Sequence, residues 1–430
     1  MAEIRPFRAL RFQEKQAGAI STLTCPPYDI ISEEERKAYL SANAHNIIRL
    51  ELPREGEDPY QVAGETLRAW EQQGVLRQDD VPAFYLYEEE FTANGERKRL
   101  KGIICRVKIE EFEKGVVLPH EETLSKAKED RFRLMQATFC NFSQIYSLYR
   151  DPQRKTRTLV DELSNREPDE EMTDGQGITH RLWIVPDGEK VQEICRQFAQ
   201  RKLYIADGHH RYETALRFRN WCRETGQTKA GAAVDDVMMM LVEMENEGLV
   251  VFPTHRLVRD LNGFEPEKLL EGCARWFDVE RQPAMENMKE MLEQKYQAGK
   301  KAFGFYSGGS GWTLLTLRDA APLQERLPDC SDALRQLDVT VLHTLVLEEL
   351  MGIDKENMAN QVNLTYTRSM EEAVQGVQKG DYQCAFLLNP TRVTEIRDVA
   401  AAGEKMPQKS TYFYPKLITG LVMNQFEDCK

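Results

Sequence analysis

Asn94-Gly95 lies between two strand-like runs, 83–91 and 97–108. That dipeptide favours a type I′ turn, so the chain is predicted to fold back on itself as an antiparallel hairpin. A second hairpin is predicted across 302–317, around Ser307-Gly308-Gly309-Ser310-Gly311. Hairpins exclude a purely parallel sheet, and the rest of the chain alternates strand and helix signals. Ser32 with Glu35 forms a capping-box pattern that opens a short helix to about Leu40. Asp58-Pro59 reads as an N-cap with proline at the first helical position, Ala63, Leu67 and Trp70 share one face, and Gly74 closes the helix. Helices are also expected over 334–350 and 370–378, and a buried strand over 382–388. The fold class expected is α/β with a mixed sheet and α+β character.

Composition narrows the function. The 430 residues suggest two or three domains, with breaks near 112–118 or in the polar stretch 164–177, the latter reading better as a surface loop. The net charge is −13, from 70 acidic and 57 basic side chains, so a polyphosphate backbone is repelled and nucleic acid is not an expected partner. The densest basic run, Arg97-Lys98-Arg99 with Lys101, reads as a solvated strand face. No run approaches the ~18 apolar residues of a membrane span, and the first twelve residues hold no apolar signal core, so the expected location is the cytoplasm, off the membrane. Nine cysteines (25, 105, 140, 195, 222, 273, 330, 384 and 429) form no C-x-x-C pair, which suits reduced thiols rather than a disulfide frame or a thiolate zinc site.

Two of only seven histidines are adjacent in the sharpest motif, Asp207-Gly208-His209-His210-Arg211. An apolar strand (202–206) precedes it, and helical spacing (Tyr212, Ala215, Leu216, Arg219) follows. Gly208 lets the backbone bend and approach a ligand. The amides after it open a helix whose dipole favours an anion, and Arg211 adds a cationic fork for phosphate or carboxylate. Asp207 can hold a metal ion, orient a histidine, or simply cap the helix. In Pro119-His120-Glu121-Glu122-Thr123 a carboxylate beside an imidazole suits general-base work, although a charged loop before a polar helix would look the same. Lys409-Ser410-Thr411 offers a point charge and two hydroxyls, as an exposed polar loop also would. Arg131, next to Asp130, can contact a phosphate or form a salt bridge. His255 and Arg256 follow the strand 249–252 and so sit at a strand end, where α/β sites gather. Pro26-Pro27-Tyr28-Asp29 reads as a structural corner, and Tyr412-Phe413-Tyr414 as core packing. Walker, H-E-x-x-H, G-x-S-x-G and G-x-G-x-x-G motifs are absent.

Tyr204-Ile205-Ala206-Asp207-Gly208-His209-His210-Arg211-Tyr212 resembles the signature of the ParB/sulfiredoxin-like fold, and within it that of the free serine kinases. Pro119-His120-Glu121 resembles their Pro-His-Glu loop, and Lys409-Ser410-Thr411 their Lys-Thr-Thr-like segment, in the same order. The whole chain also resembles the DUF1015 family. The resemblance implies an N-terminal α/β region (1–115), whose role it leaves open, and a kinase-type catalytic region with insertions (116–430). It implies phosphorylation of the L-serine hydroxyl from ATP or ADP. Glu121, His120 and Asp207 would be catalytic, with Asp207 near Mg2+. Gly208, His209, His210 and Arg211 would bind nucleotide phosphate, and Lys409, Ser410 and Thr411 the acceptor. Tyr412 and Phe413 stand where the kinases carry basic residues, a departure that Lys416 or Arg211 would have to make good in binding the serine carboxylate. A nucleotide-binding switch without turnover, or a phosphoesterase using the same turn, are the other activities such residues allow.

Overall fold

The computed structural model describes residues 1–123, 125–228 and 231–426. The chain divides into two compact units: unit 1 holds Met1–Pro119, Thr123–Val250 and Pro415–Lys430, and unit 2 holds His120–Glu122 and Val251–Tyr414. These limits differ from the expected break at 115/116, because the N-terminal hairpin hydrogen-bonds directly to a strand from beyond residue 235.

Unit 1 is built on a nine-stranded sheet. In chain order its strands are β1 (Ile4–Arg5), β2 (Ala83–Ala93), β3 (Glu96–Lys108), β4 (Val117–Leu118), β5 (Ile145–Tyr149), β6 (Glu170–Thr173), β7 (Thr179–Pro186), β8 (Leu203–Asp207) and β9 (Asp236–Glu243). They lie in the order β4-β8-β5-β9-β3-β2-β7-β6, with β1 beside β3. The β4–β8 and β5–β9 pairs are parallel, and the others antiparallel. The protein is therefore mixed α/β with a large mixed sheet. The β2–β3 hairpin turns at Asn94 and Gly95, both at positive φ as a type I′ turn requires. The basic run of β3 faces acids on β2 rather than water alone, Arg99 bonding Glu90 at 2.7 Å and Lys101 pairing with Glu88 at 3.2 Å. The stretch 164–177, expected to be a loop, contains edge strand β6, which pairs with β7.

Helices α1 (Glu33–Ala42) and α2 (Pro59–Gln72) begin as predicted, α1 at the Ser32–Glu35 capping box and α2 at the Asp58 cap. Ala63, Leu67 and Trp70 of α2 are buried, and Gly74 follows at a φ of 70°. Farther along come α3 (Ser125–Thr138), α4 (Glu189–Phe198) and α5 (His209–Glu224). α3 packs on α5, with the Arg217 guanidinium over the Phe132 ring at 3.8 Å. Every residue of β9 is buried, as in a strand covered on both faces.

Unit 2 holds a six-stranded, wholly antiparallel sheet. Its strands are β10 (His255–Val258), β11 (Phe277–Gln282), β12 (Ala302–Tyr306), β13 (Trp312–Leu317), β14 (Leu364–Thr367) and β15 (Cys384–Leu387), in the order β11-β13-β12-β15-β10-β14. Helices α6 (Met288–Gln297), α7 (Met370–Lys379) and α8 (Val393–Ala401) belong to it. The single helix expected over 334–350 is instead two short α-turns, Asp332–Arg335 and Asp338–Val341, followed by a π-helical stretch, Leu342–Glu348. Gln336 and Leu337 break it, Leu337 being extended at φ −81° and ψ 134°. Among the described residues no helix is long and apolar enough to cross a membrane. Eight cysteines are free thiols, and Cys429 lies outside the described residues.

Candidate functional site

In unit 1 the motif occupies a strand-to-helix turn, as its sequence pattern requires. Across β8–β5, Ile205 pairs with Ser147 and Asp207 with Tyr146, so Ala206 is an extra residue. Such a bulge re-aims the side chains beyond it. Gly208 follows at φ 92°, ψ 27°, in the left-handed region, and α5 starts at His209 with no side chain capping it. A Cβ on Gly208 would lie 2.9 Å from Nε of Arg211, because that side chain folds back across the turn. Arg211 donates to Asp207 Oδ2 at 2.6 Å and to the Gln144 carbonyl at 2.5 Å. Lys416, from the C-terminal segment, donates to the other oxygen, Asp207 Oδ1. Burial alone would raise the Asp207 carboxyl, but the charges of Lys416 and Arg211 outweigh it and hold the group well below the usual carboxylate range.

Two cations meet the Asp207 carboxylate at the turn, and the N-terminus of a long helix adds its positive field. This suits an anion. It does not suit a metal: the Asp207 carboxylate is committed to two cations, which a divalent ion would have to displace. Among the described residues no group of three or more His, Cys, Asp or Glu could hold one. The donor set therefore does not fit Asp207 as the Mg2+ ligand.

Arg131, a possible phosphate contact in the sequence, is spent on structure. It is buried, bonds Asp130 Oδ2 at 2.6 Å and the Glu51 carbonyl at 2.7 Å, and lies over the Tyr28 ring at 4.1 Å. Glu51 is itself buried and accepts from Ser143 Oγ at 2.9 Å. Burial raises its carboxyl in spite of the Arg131 and Arg211 charges. Glu51, Arg131, Asn141, Ser143, Arg211 and Thr214 are among the residues lining a cavity of about 40 Å³ beside α5. Glu51 escaped the sequence reading because nothing in Ile48–Glu51 marks an acid as buried.

In unit 2 two motifs far apart in sequence are joined. Lys409 donates its backbone N–H to Glu121 Oε1 at 3.1 Å, across a separation of 288 residues. His120 Nε2 meets Thr411 Oγ1 at 3.1 Å, across 291. A parallel bridge between Glu121 and Met406 lines up the two segments. Lys409 has a φ of 56°, uncommon for a residue with a side chain and of the kind retained at functional sites. Ser410 turns inward, its hydroxyl donating to the Pro407 carbonyl and its own carbonyl accepting from Thr391 at 2.8 Å. Phe413 is buried, as core packing predicts.

His255 and Arg256 follow a short strand, Val250–Phe252, as expected, and are themselves the first two residues of β10, where both are buried. Burial first, then the neighbouring Arg256 charge, lowers the His255 imidazole to about 4. Arg256 donates to the Lys409 carbonyl at 3.2 Å, so the Lys409 residue is held at its N–H by Glu121 and at its carbonyl by Arg256. Arg256 also donates from Nε to His343 Nε2 at 3.3 Å. His343 was missed because it lies within an apolar stretch that reads as core.

Some known structures resemble this one distantly. A conserved hypothetical protein from Pyrococcus furiosus is 14% identical, with a TM-score of 0.38, over 76% of this chain and 97% of that one. A free serine kinase in complex with AMP is 13% identical, with a TM-score of 0.38, over 76% and 91%. SbnI with a C-terminal truncation, from Staphylococcus aureus, is 10% identical, with a TM-score of 0.35, over 74% and 86%. Likenesses at this distance carry no functional argument. No curated protein matches the chain. The model of DUF1015, described as a protein of unknown function, matches residues 4–340, and the chain belongs to that family.

Proposed function

We propose that this protein is a small-molecule kinase that makes O-phosphoserine from free L-serine and a nucleotide, ATP or ADP, on a ParB/sulfiredoxin-like core. One observation carries the reading: the Pro-His-Glu and Lys-Ser-Thr segments, which separately resemble those of the free serine kinases, are joined by two hydrogen bonds, Lys409 N–H to Glu121 and His120 to Thr411. Phosphoryl transfer needs positioning and charge neutralisation more than covalent catalysis. Glu121 takes the proton of the serine hydroxyl as its oxygen bonds to phosphorus and the bond to the departing nucleotide breaks. The Lys409 amide on Oε1 holds that carboxylate in one orientation. His120 fixes the Thr411 hydroxyl, and Lys409, Ser410 and Thr411 hold the acceptor or the transferred phosphate. Gly208, His209, His210 and Arg211 carry the nucleotide phosphates, and Asp207 is a positioning residue that holds Arg211 and Lys416.

The test is a transfer assay with ATP and ADP in parallel across the standard amino acids, scoring phosphoamino acid by mass spectrometry. Phosphoserine is expected with one donor. Glu121→Gln should lower kcat at least ~100-fold, the usual worth of a general base, with nucleotide affinity nearly unchanged. Full activity in that variant removes Glu121 as the base. Nucleotide binding with no product from any amino acid would make the protein a nucleotide-binding switch instead.

A further inference from the structure

Unit 2 contains a cavity of about 120 Å³ that the reaction above does not use. Leu327, Leu334 and Met358 give it an apolar floor, and Lys355, Glu348 and Glu122 bring charges of both signs to its wall. Those three groups make no direct ion pair among the described residues, although the Lys355 charge acts on the Glu348 carboxyl, and Lys405 adds a second cation to the wall. Two further wall residues, Thr340 and Tyr366, have buried hydroxyls with no hydrogen-bond partner. Buried hydroxyls are rarely left unpaired, because stripping them of water costs more than packing returns.

The inner wall is also backed by positive charge. Arg256 is wholly buried and forms no ion pair among the described residues. It touches two residues of the wall, donating to His343 Nε2 at 3.3 Å and lying 5.4 Å from the centre of the Tyr366 ring. The bond to Nε2 puts the His343 proton on Nδ1, a neutral imidazole with one N–H to offer. The Glu121 charge acts on this guanidinium without a direct ion pair among the described residues, and a buried cation so placed favours a further anion close by. His343, Thr344 and Glu348 reach the cavity from the π-helical stretch Leu342–Glu348, a rare geometry that is retained mostly at functional sites.

We propose that this cavity binds a free α-amino acid with a small aliphatic side chain, at a site that adjoins the Glu121–Lys409 pair through Arg256 and does not itself hold the reacting serine. The carboxylate answers Lys355, the Arg256 field and the two orphaned hydroxyls. The ammonium answers Glu348 and Glu122, and the side chain lies on the leucine and methionine floor. The size agrees: an apolar cavity of about 150 Å³ takes benzene, so this one encloses roughly a valine or leucine side chain with its polar end towards the charged wall.

Isothermal titration of the full chain decides it, with L-valine, L-leucine, L-serine, isovalerate and isobutylamine as probes. Saturable binding of L-valine or L-leucine is expected, with isovalerate, isobutylamine and L-serine each at least ~tenfold weaker, since each lacks one of the three matched features. Thr340→Val and Glu348→Gln should each weaken the aliphatic amino acid by about tenfold, and Glu348→Gln stands on a half-buried position that tolerates exchange. No saturable binding of either aliphatic amino acid at millimolar concentration overturns the proposal. So does equal affinity for isovalerate or L-serine, or indifference to both variants. The readout is binding, so its failure is separable from a failure of phosphotransfer.

Discussion

Asp207→Asn is the sharpest test of how the motif turn is held. The change keeps the shape of the side chain and removes one charge, leaving Lys416 and Arg211 facing each other without the carboxylate that both contact. Their side chains are only 11% and 12% exposed, and Asp207 18%, so solvent screens the loss weakly. Removing one partner of a buried ion pair costs about 3–5 kcal/mol; with this partial exposure we expect about 3 kcal/mol. Replacing Lys416 as well removes the repulsion, so Asp207→Asn with Lys416→Met should recover at least about half of the loss. The assay is native-state hydrogen exchange by mass spectrometry on peptides covering β8 and α5. The folded Asp207 carboxyl lies below its unfolded value, so its contribution is complete above about pH 4 and is lost as the pH falls through the folded value. The gap between wild type and variant should therefore be constant near neutrality and close in acid. A single variant within about 0.5 kcal/mol of wild type at pH 7, or a gap independent of pH, refutes the ion triad as what holds the turn.

Further outcomes follow from other residues. Gly208→Ala forces a left-handed residue to carry a Cβ against Arg211, so about 1–2 kcal/mol of stability should be lost in urea unfolding, and nucleotide affinity with it. Glu89 is wholly buried, and burial pushes its carboxyl up to about 8, helped by Asp174 against the Tyr87 bond. A folded value above the unfolded one means stability is full below about pH 4 and falls as the pH rises towards 8, so Glu89→Gln should flatten that slope. It should gain on the order of 3 kcal/mol at pH 7, and a parallel pH profile would count against the buried acid. Arg131→Met leaves buried Glu51 without its cation and should lower unfolding free energy by about 3 kcal/mol, whereas an exposed arginine would cost almost nothing.

What the sequence alone determined is local. Asn94-Gly95 turned the chain because the two residues accept positive φ, Ser32–Glu35 and Asp58-Pro59 opened helices because they pair with backbone amides within one turn, and Gly208 marked the turn from strand to helix. Each of those signals is complete within a few residues. The helix expected over 334–350 failed for the opposite reason: its apolar spacing carried no record of the break at Leu337 or of the π-helical widening after it, which packing against a six-stranded sheet decides. The candidate site divides in the same way. His120, Glu121, Lys409 and Thr411 were legible as residue types, but only the fold hydrogen-bonds them to one another across nearly 300 residues. Asp207 was legible too, yet its partner Lys416 comes from far along the chain, and only the fold brings that ammonium and the Arg211 guanidinium onto its two oxygens. Arg256, His343, Tyr366 and Thr340 carry no local mark. Their meaning rests on burial and on the partners they lack, and burial is a property of the folded chain.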